Sequence, residues 1–152
     1  VEKKLFKAGD VFFIGENKLG KQILTLDGGG RVGKLIYISE HFKNVIGFLP
    51  SVETFSSEPN EISNIHFMEN VIYCGNSELI NGKWKIIGHL PVSDFEIQLT
   101  TRIVANQVYV ADNIIRLRTD EDLKTYYQQQ IAGLGAVYTI LDNLELYFKR
   151  KS

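Results

Sequence analysis

Between residues 10 and 110 the apolar residues fall in short runs rich in β-branched and aromatic side chains, and most of these runs close on glycine, proline or an Asn-Gly pair. Runs of that length and composition fit strands, which bury alternate residues on one face, better than helices. Asp10-Val11-Phe12-Phe13-Ile14 follows Ala8-Gly9 and closes on Gly15. Residues 21–26 alternate polar and apolar and stop at Asp27-Gly28-Gly29-Gly30, which reads as a hairpin turn because glycine reaches positive φ without penalty. Residues 32–39 then form the returning strand, and residues 45–49 another, ended by Pro50. Residues 51–64 carry few large apolar side chains and predict a surface excursion, with a helical turn opening at Pro59. Strand character resumes over 66–74. Asn81-Gly82 predicts a tight hairpin into 84–88, and Gln107-Val108-Tyr109-Val110 is a further strand.

The last third changes period. Thr119 with Asp122 resembles a capping box, and Asp120 and Glu121 suit a helix N-terminus. Leu123, Tyr127, Ile131 and Leu134 follow at helical spacing until Gly133 and Gly135 break the pattern. A second helix is expected from near Ala136, with Val137, Ile140, Leu141, Leu144 and Phe148 on one face and Lys149-Arg150-Lys151 at its C-terminal end. The fold class expected is α+β: a curled antiparallel sheet, or a small barrel, followed by two C-terminal helices that cover one face of it. At 152 residues, 44% hydrophobic and 23% charged, residues 1–152 are expected to form a single domain. No apolar run approaches the ~20 residues of a membrane-crossing helix. The single cysteine, Cys74, cannot make an internal disulfide. With no secretory leader pattern at the start, the expected compartment is the reducing cytoplasm.

Charge is uneven. The net charge is −1, which argues against a dedicated nucleic-acid binder, including a single-stranded one built on the sheet. Between Lys43 and Lys83 there is no basic residue, and Glu53, Glu58, Glu61, Glu69 and Glu78 all fall in that gap. Such a segment can steer a basic partner through long-range attraction, although a solvated loop carries the same composition.

The usual catalytic patterns are not formed by the residues at hand. Gly28-Gly29-Gly30-Arg31-Val32-Gly33 is followed by a strand-like sequence, whereas a phosphate loop needs Lys-Ser/Thr and a helix behind its glycines. His41, His66 and His89 lack zinc-ligand spacing, and Cys74 sits in an apolar strand suited to an inert thiol. His89 beside Gly88 and Pro91 reads as a structural histidine. Gly-x-Ser-x-Gly is absent, and no spacing singles out one carboxylate pair. We expect no catalytic residue, no metal site and no cofactor. Trp84 reads as a buried anchor. Among the aromatics of the C-terminal third, Tyr127 and Phe148 fit core packing, whereas Tyr126 and Tyr147 fall off the apolar stripes and are candidates for a partner surface.

Three segments in this order resemble the immunity protein 26 family of bacterial polymorphic toxin systems. Phe6-Lys7-Ala8-Gly9-Asp10-Val11-Phe12-Phe13-Ile14 is similar to the family's opening K-x-G-D-V-F-x-I strand, with Gly15 standing where the family carries proline. Gly82-Lys83-Trp84-Lys85-Ile86-Ile87-Gly88-His89-Leu90-Pro91 is similar to its W-x-x-I-G-x-x-P stretch, the most specific of the three. Asp112-Asn113-Ile114-Ile115-Arg116-Leu117-Arg118-Thr119 is the third, followed by the segment containing Ala136-Val137-Tyr138. The resemblance implies a binding protein without catalysis, whose partner is the C-terminal domain of a cognate toxin. On that reading Glu53, Glu58, Glu61 and Glu69 are candidate steering charges, and Tyr126 and Tyr147 candidate contacts. The alternative is a small ligand-binding or enzymatic domain on a small β-barrel, which requires a deep polar pocket with converging side chains.

Overall fold

A computed structural model of the chain describes residues 6–15 and 30–142. In chain order these form β1 (Asp10–Ile14), β2 (Arg31–Ile38), β3 (Val45–Pro50), β4 (Ile72–Gly75), α1 (Ser77–Ile80), β5 (Lys85–His89), α2 (Asp94–Gln98), β6 (Arg102–Val104), β7 (Gln107–Val110), β8 (Asn113–Leu117), α3 (Asp122–Thr125), β9 (Tyr127–Gln128) and α4 (Leu134–Asp142). The strands make two sheets: a five-stranded antiparallel one ordered β4-β3-β2-β1-β5, and a four-stranded one ordered β8-β7-β6-β9. In the second sheet β9 runs parallel to β6, and the other pairs are antiparallel. The fold is thus mostly β with short helices, and no barrel closes among the described residues.

The five-stranded sheet is covered on both faces, which explains why β2 is buried almost throughout instead of alternating. On one face Phe12, Leu35, Ile46, Phe48, Ile72 and Cys74 pack with Leu79, Trp84 and, from α4, Val137 and Leu141. On the other, Ile36, Tyr37, Leu49 and Tyr73 meet Leu99, Ala111 and Tyr127 from the second sheet and its approaches. Gly33 belongs to β2: a Cβ there would lie 2.6 Å from Phe12 Cζ, so the glycine makes room for a ring. Lys34, buried on the same strand, donates to Glu96 Oε1 at 2.8 Å and to the Pro91 carbonyl at 3.0 Å, tying α2 to the sheet. Burial raises the Glu96 carboxyl, but the Lys34 hydrogen bond and the Ser93 amide outweigh it and hold the group below its usual range.

Several expectations shift. Asn81-Gly82 does not close a hairpin, because β4 and β5 lie at opposite edges of their sheet. Gly82 does take φ +80, but it ends α1, after which the chain crosses the whole sheet through Trp84. The strand expected over 66–74 contracts to β4, with Phe67 making only an isolated bridge to Ser51. Residues 51–64 form the surface excursion, without a helix at Pro59.

Of the two C-terminal helices, the first reduces to the single turn of α3. Thr119 N–H does donate to Asp122 Oδ2 at 2.7 Å, the capping contact expected. At Tyr126 the backbone turns extended, φ −110 and ψ 148. Tertiary contacts override the helical period: the Tyr127 ring stacks on Tyr73 at 6.2 Å, and Gln129 N–H donates to the Ile103 carbonyl at 2.8 Å. The second helix is α4. The strand and turn expected over 21–29, and Leu144, Phe148 and Lys149 to Lys151, lie outside the described residues.

The β6–β7 turn places Ala105 at φ 56, in the left-handed region that disfavours a Cβ. Ala105→Gly is expected to stabilise the fold by about 0.5–1 kcal/mol in urea denaturation, since relief of that strain exceeds the added chain entropy.

Candidate functional site

The junction of the two sheets opens into a cleft of about 370 Å³. Among the described residues it is lined by residues 69–73, by Leu99, Thr101 and Arg102 at the approach to β6, by Thr125, Tyr126, Tyr127 and Gln130, and by Ala132 and Ile140. Strand alternation decides what β4 presents: Ile72 and Cys74 point to the Trp84 core, leaving Tyr73 toward the second sheet.

Behind the cleft lies a polar device that joins the sheets. Arg102 is 1% exposed, and its guanidinium carbon lies 5.0, 5.1 and 5.6 Å from the ring centres of Tyr37, Tyr73 and Tyr109. Nε donates to Gln129 Oε1 at 2.7 Å, and Nη1 to the carbonyls of Thr100 at 3.1 Å and Ala111 at 2.5 Å. No ion pair among the described residues involves Arg102. Compensation comes at one remove: Nη2 reaches the Tyr37 hydroxyl at 3.4 Å, and that hydroxyl donates to Asp112 Oδ1. Asp112 also accepts from Ser39 Oγ at 2.8 Å, Glu40 N–H at 2.7 Å and His41 N–H at 3.3 Å. Burial raises the Tyr37, Tyr73 and Tyr127 hydroxyls above the usual range, so all three stay neutral as aromatic walls at physiological pH, with the Tyr37 and Tyr73 hydroxyls donating to Asp112 and the Thr100 carbonyl.

The six sequence candidates separate. Glu69 and Tyr126, fifty-seven positions apart in sequence, both line the cleft. Glu53, Glu58 and Glu61 do not. Glu53 pairs with His66 Nδ1 at 2.7 Å, Glu58 with Lys85 Nζ at 3.3 Å, and Glu61 accepts from Ser63 Oγ at 2.7 Å. Tyr147 lies outside the described residues. Trp84 is buried, as the sequence suggests. His89 is paired: its Nδ1 lies 3.0 Å from Asp10 Oδ1, between the first two segments of the family resemblance. Among the described residues no group of three or more His, Cys, Asp and Glu is placed to hold a metal ion, and no helix is long and apolar enough to cross a membrane.

Arg102 was not singled out by sequence reasoning, and although Asp112 and β8 fall in the third resemblance segment, neither the role of the carboxylate nor the exposed apolar strand was read from it. Ile114, Ile115 and Leu117 are 53%, 54% and 65% exposed at the edge of the second sheet. The register shift opposite Val108/Tyr109 bulges that edge, which blunts it as a template for strand addition.

Cys74 is 2% exposed, and burial pushes its thiol up to about 12. It is expected to resist a disulfide reagent at pH 8 in the native protein and to react stoichiometrically once denaturant is added. Rapid native labelling would refute this placement.

Comparisons of the chain with protein-family models, with curated proteins and with solved structures return no match.

Proposed function

We propose that this chain is an immunity protein, a non-catalytic binder that neutralises a cognate bacterial toxin domain in the cytoplasm by occluding its active site or the approach to it. The observation that carries this reading is the cleft, where an acidic and an aromatic residue from distant segments line one concavity with Tyr73 and Tyr127. A concavity of this kind suits a side chain inserted by a protein partner, the arrangement in which a few residues dominate binding energy. The resemblance of three segments to the immunity protein 26 family supplies the partner class. In support, the first two segments are hydrogen-bonded neighbours, β1 with β5, and the Asp10–His89 contact joins them.

The test is co-expression with the C-terminal domain of the polypeptide encoded directly upstream, scoring growth rescue, followed by calorimetry of the purified pair. Stoichiometric nanomolar binding with rescue supports the reading. A toxic domain that is neither bound nor neutralised overturns it.

A second reading, a small-ligand or enzymatic domain, draws on the cleft volume, which lies within the roughly 300–1,000 Å³ of small-molecule sites. It predicts a raised melting temperature with some member of a metabolite panel, an effect that the immunity reading does not require.

A further inference from the structure

The acidic stretch between Lys43 and Lys83 does not act as one surface. Glu53, Glu58 and Glu61 are occupied by His66, Lys85 and Ser63, and Glu78 is buried. Glu69 is exposed, and no hydrogen bond or ion pair holds its carboxylate among the described residues. It stands at the cleft. Tyr126, which also lines the cleft, is half-buried, and its side chain makes no hydrogen bond or ring contact among the described residues; the Arg116 charge that acts on it is already paired with Asp122. The neighbouring Tyr127 is already stacked on Tyr73.

We infer that the cleft is a receptor for one cationic side chain of the protein partner, an arginine or lysine that pairs with Glu69 and lies against the Tyr126 ring. This rests on the reading that the cleft binds a protein. Charge complementarity selects the occupant. Among the described residues Glu69 is the one carboxylate lining the cleft, and an aromatic side chain lining the same cleft adds cation–π attraction for a guanidinium or ammonium group. Arg102 also lines the cleft, but it does not turn the site toward anions. Tyr37, Tyr73 and Tyr109 enclose its charge, and its donors go to Gln129, Thr100, Ala111 and Tyr37. A planar guanidinium fits best, since it can meet a carboxylate with two parallel donors while stacking on a ring.

The test uses Nα-acetyl-L-arginine amide as the probe, titrated into the ¹⁵N-labelled chain, with Nα-acetyl-L-glutamate amide as the anionic comparison. The arginine probe should give saturable shifts at Asn70 and around Thr125 to Tyr127, with millimolar affinity. Glu69→Gln should weaken it about fivefold, the upper range for an exposed ion pair. Tyr126→Ala should weaken it further, and Glu53→Gln should change nothing. Both cleft substitutions are at accessible side chains, and the amide spectrum itself reports whether the fold persists. Equal or tighter binding of the glutamate probe overturns the inference, as does unchanged arginine binding in Glu69→Gln or the absence of saturable shifts.

The upstream toxin domain separates this result from the broader reading. Rescue that survives Glu69→Lys with undiminished affinity sinks the cationic receptor and leaves the immunity role standing. A probe that binds through Glu69 while the toxin domain is ignored sinks the immunity role and leaves the receptor.

Discussion

Trp84→Ala is expected to lower stability by about 3–5 kcal/mol, the range for emptying a large aromatic from a packed core. Trp84 is 2% exposed and lies between two rings: it stacks on Phe12 with centroids 5.4 Å apart and 11° between planes, and meets Phe48 edge-on at 5.7 Å. Phe12 and Phe48 also contact each other at 5.3 Å, so the three rings form one closed unit spanning β1, β3 and the start of β5. Removing the indole takes away both ring contacts and leaves a void beneath a sheet held rigid by its ladders, where collapse is limited. For a chain of 152 residues the melting temperature should fall by about 10 °C or more. Trp84→Phe, which keeps a stackable ring, should lose much less. A loss under about 1 kcal/mol for Trp84→Ala in denaturant titration would show that this cluster does not hold the sheet.

In the five-stranded sheet β1, β3 and β5 were legible because each run is short, β-branched or aromatic, and stopped by Gly15, Pro50 or Pro91, whereas β4 was expected over a much longer span. β1 coincides with the expected span, β2 is shifted by one residue at both ends, and β3 runs one residue further. The second sheet was mostly missed. β6 and β8 carry Arg102, Asn113 and Arg116 among apolar residues, and the sequence does not announce that Arg102 is buried by three tyrosines brought in from β2, β4 and β7. α2 was overlooked although its signal is present: Ser93 and Glu96 are three apart and form a reciprocal capping box. The Asn81-Gly82 signal reported the backbone conformation faithfully and the topology wrongly, because positive φ serves a helix end as well as a hairpin. In the 119–134 segment, helical spacing was outcompeted by long-range contacts to Tyr73 and Ile103 that no local window contains. The cleft shares that character. Glu69 and Tyr126 each stood out by composition or by falling off a stripe, but their meeting depends on β9 pairing with β6.

Asp112→Ala should destabilise the protein by about 2–4 kcal/mol, because one carboxylate accepts from four donors where the two sheets meet. The Tyr37 hydroxyl and Ser39 Oγ, in partly or fully buried surroundings, are left with each other as partners and one donor too many, while the Glu40 and His41 amides can turn to water. The loss reaches Arg102 as well, since Tyr37 relays the Asp112 charge to the buried guanidinium. The same carboxylate imposes a pH dependence. Burial raises the Asp112 carboxyl, yet the hydrogen bonds from Tyr37, Glu40, Ser39 and His41 together outweigh that and hold it below its ordinary value. The unfolded chain therefore binds the proton first as pH falls, so the stabilisation is complete above the unfolded carboxyl's pKa of about 4 and is lost as pH drops through the lower folded value. Glu96 and Glu53 are also lowered and act with the same sign, so the wild type should weaken steeply below about pH 4. Asp112→Ala should start lower and fall less steeply over that window, with the two curves converging in acid. Parallel curves, measured by urea titration from neutral pH downward, would mean that Asp112 does not carry this linkage and that the contact between the sheets rests on the tyrosine cage alone.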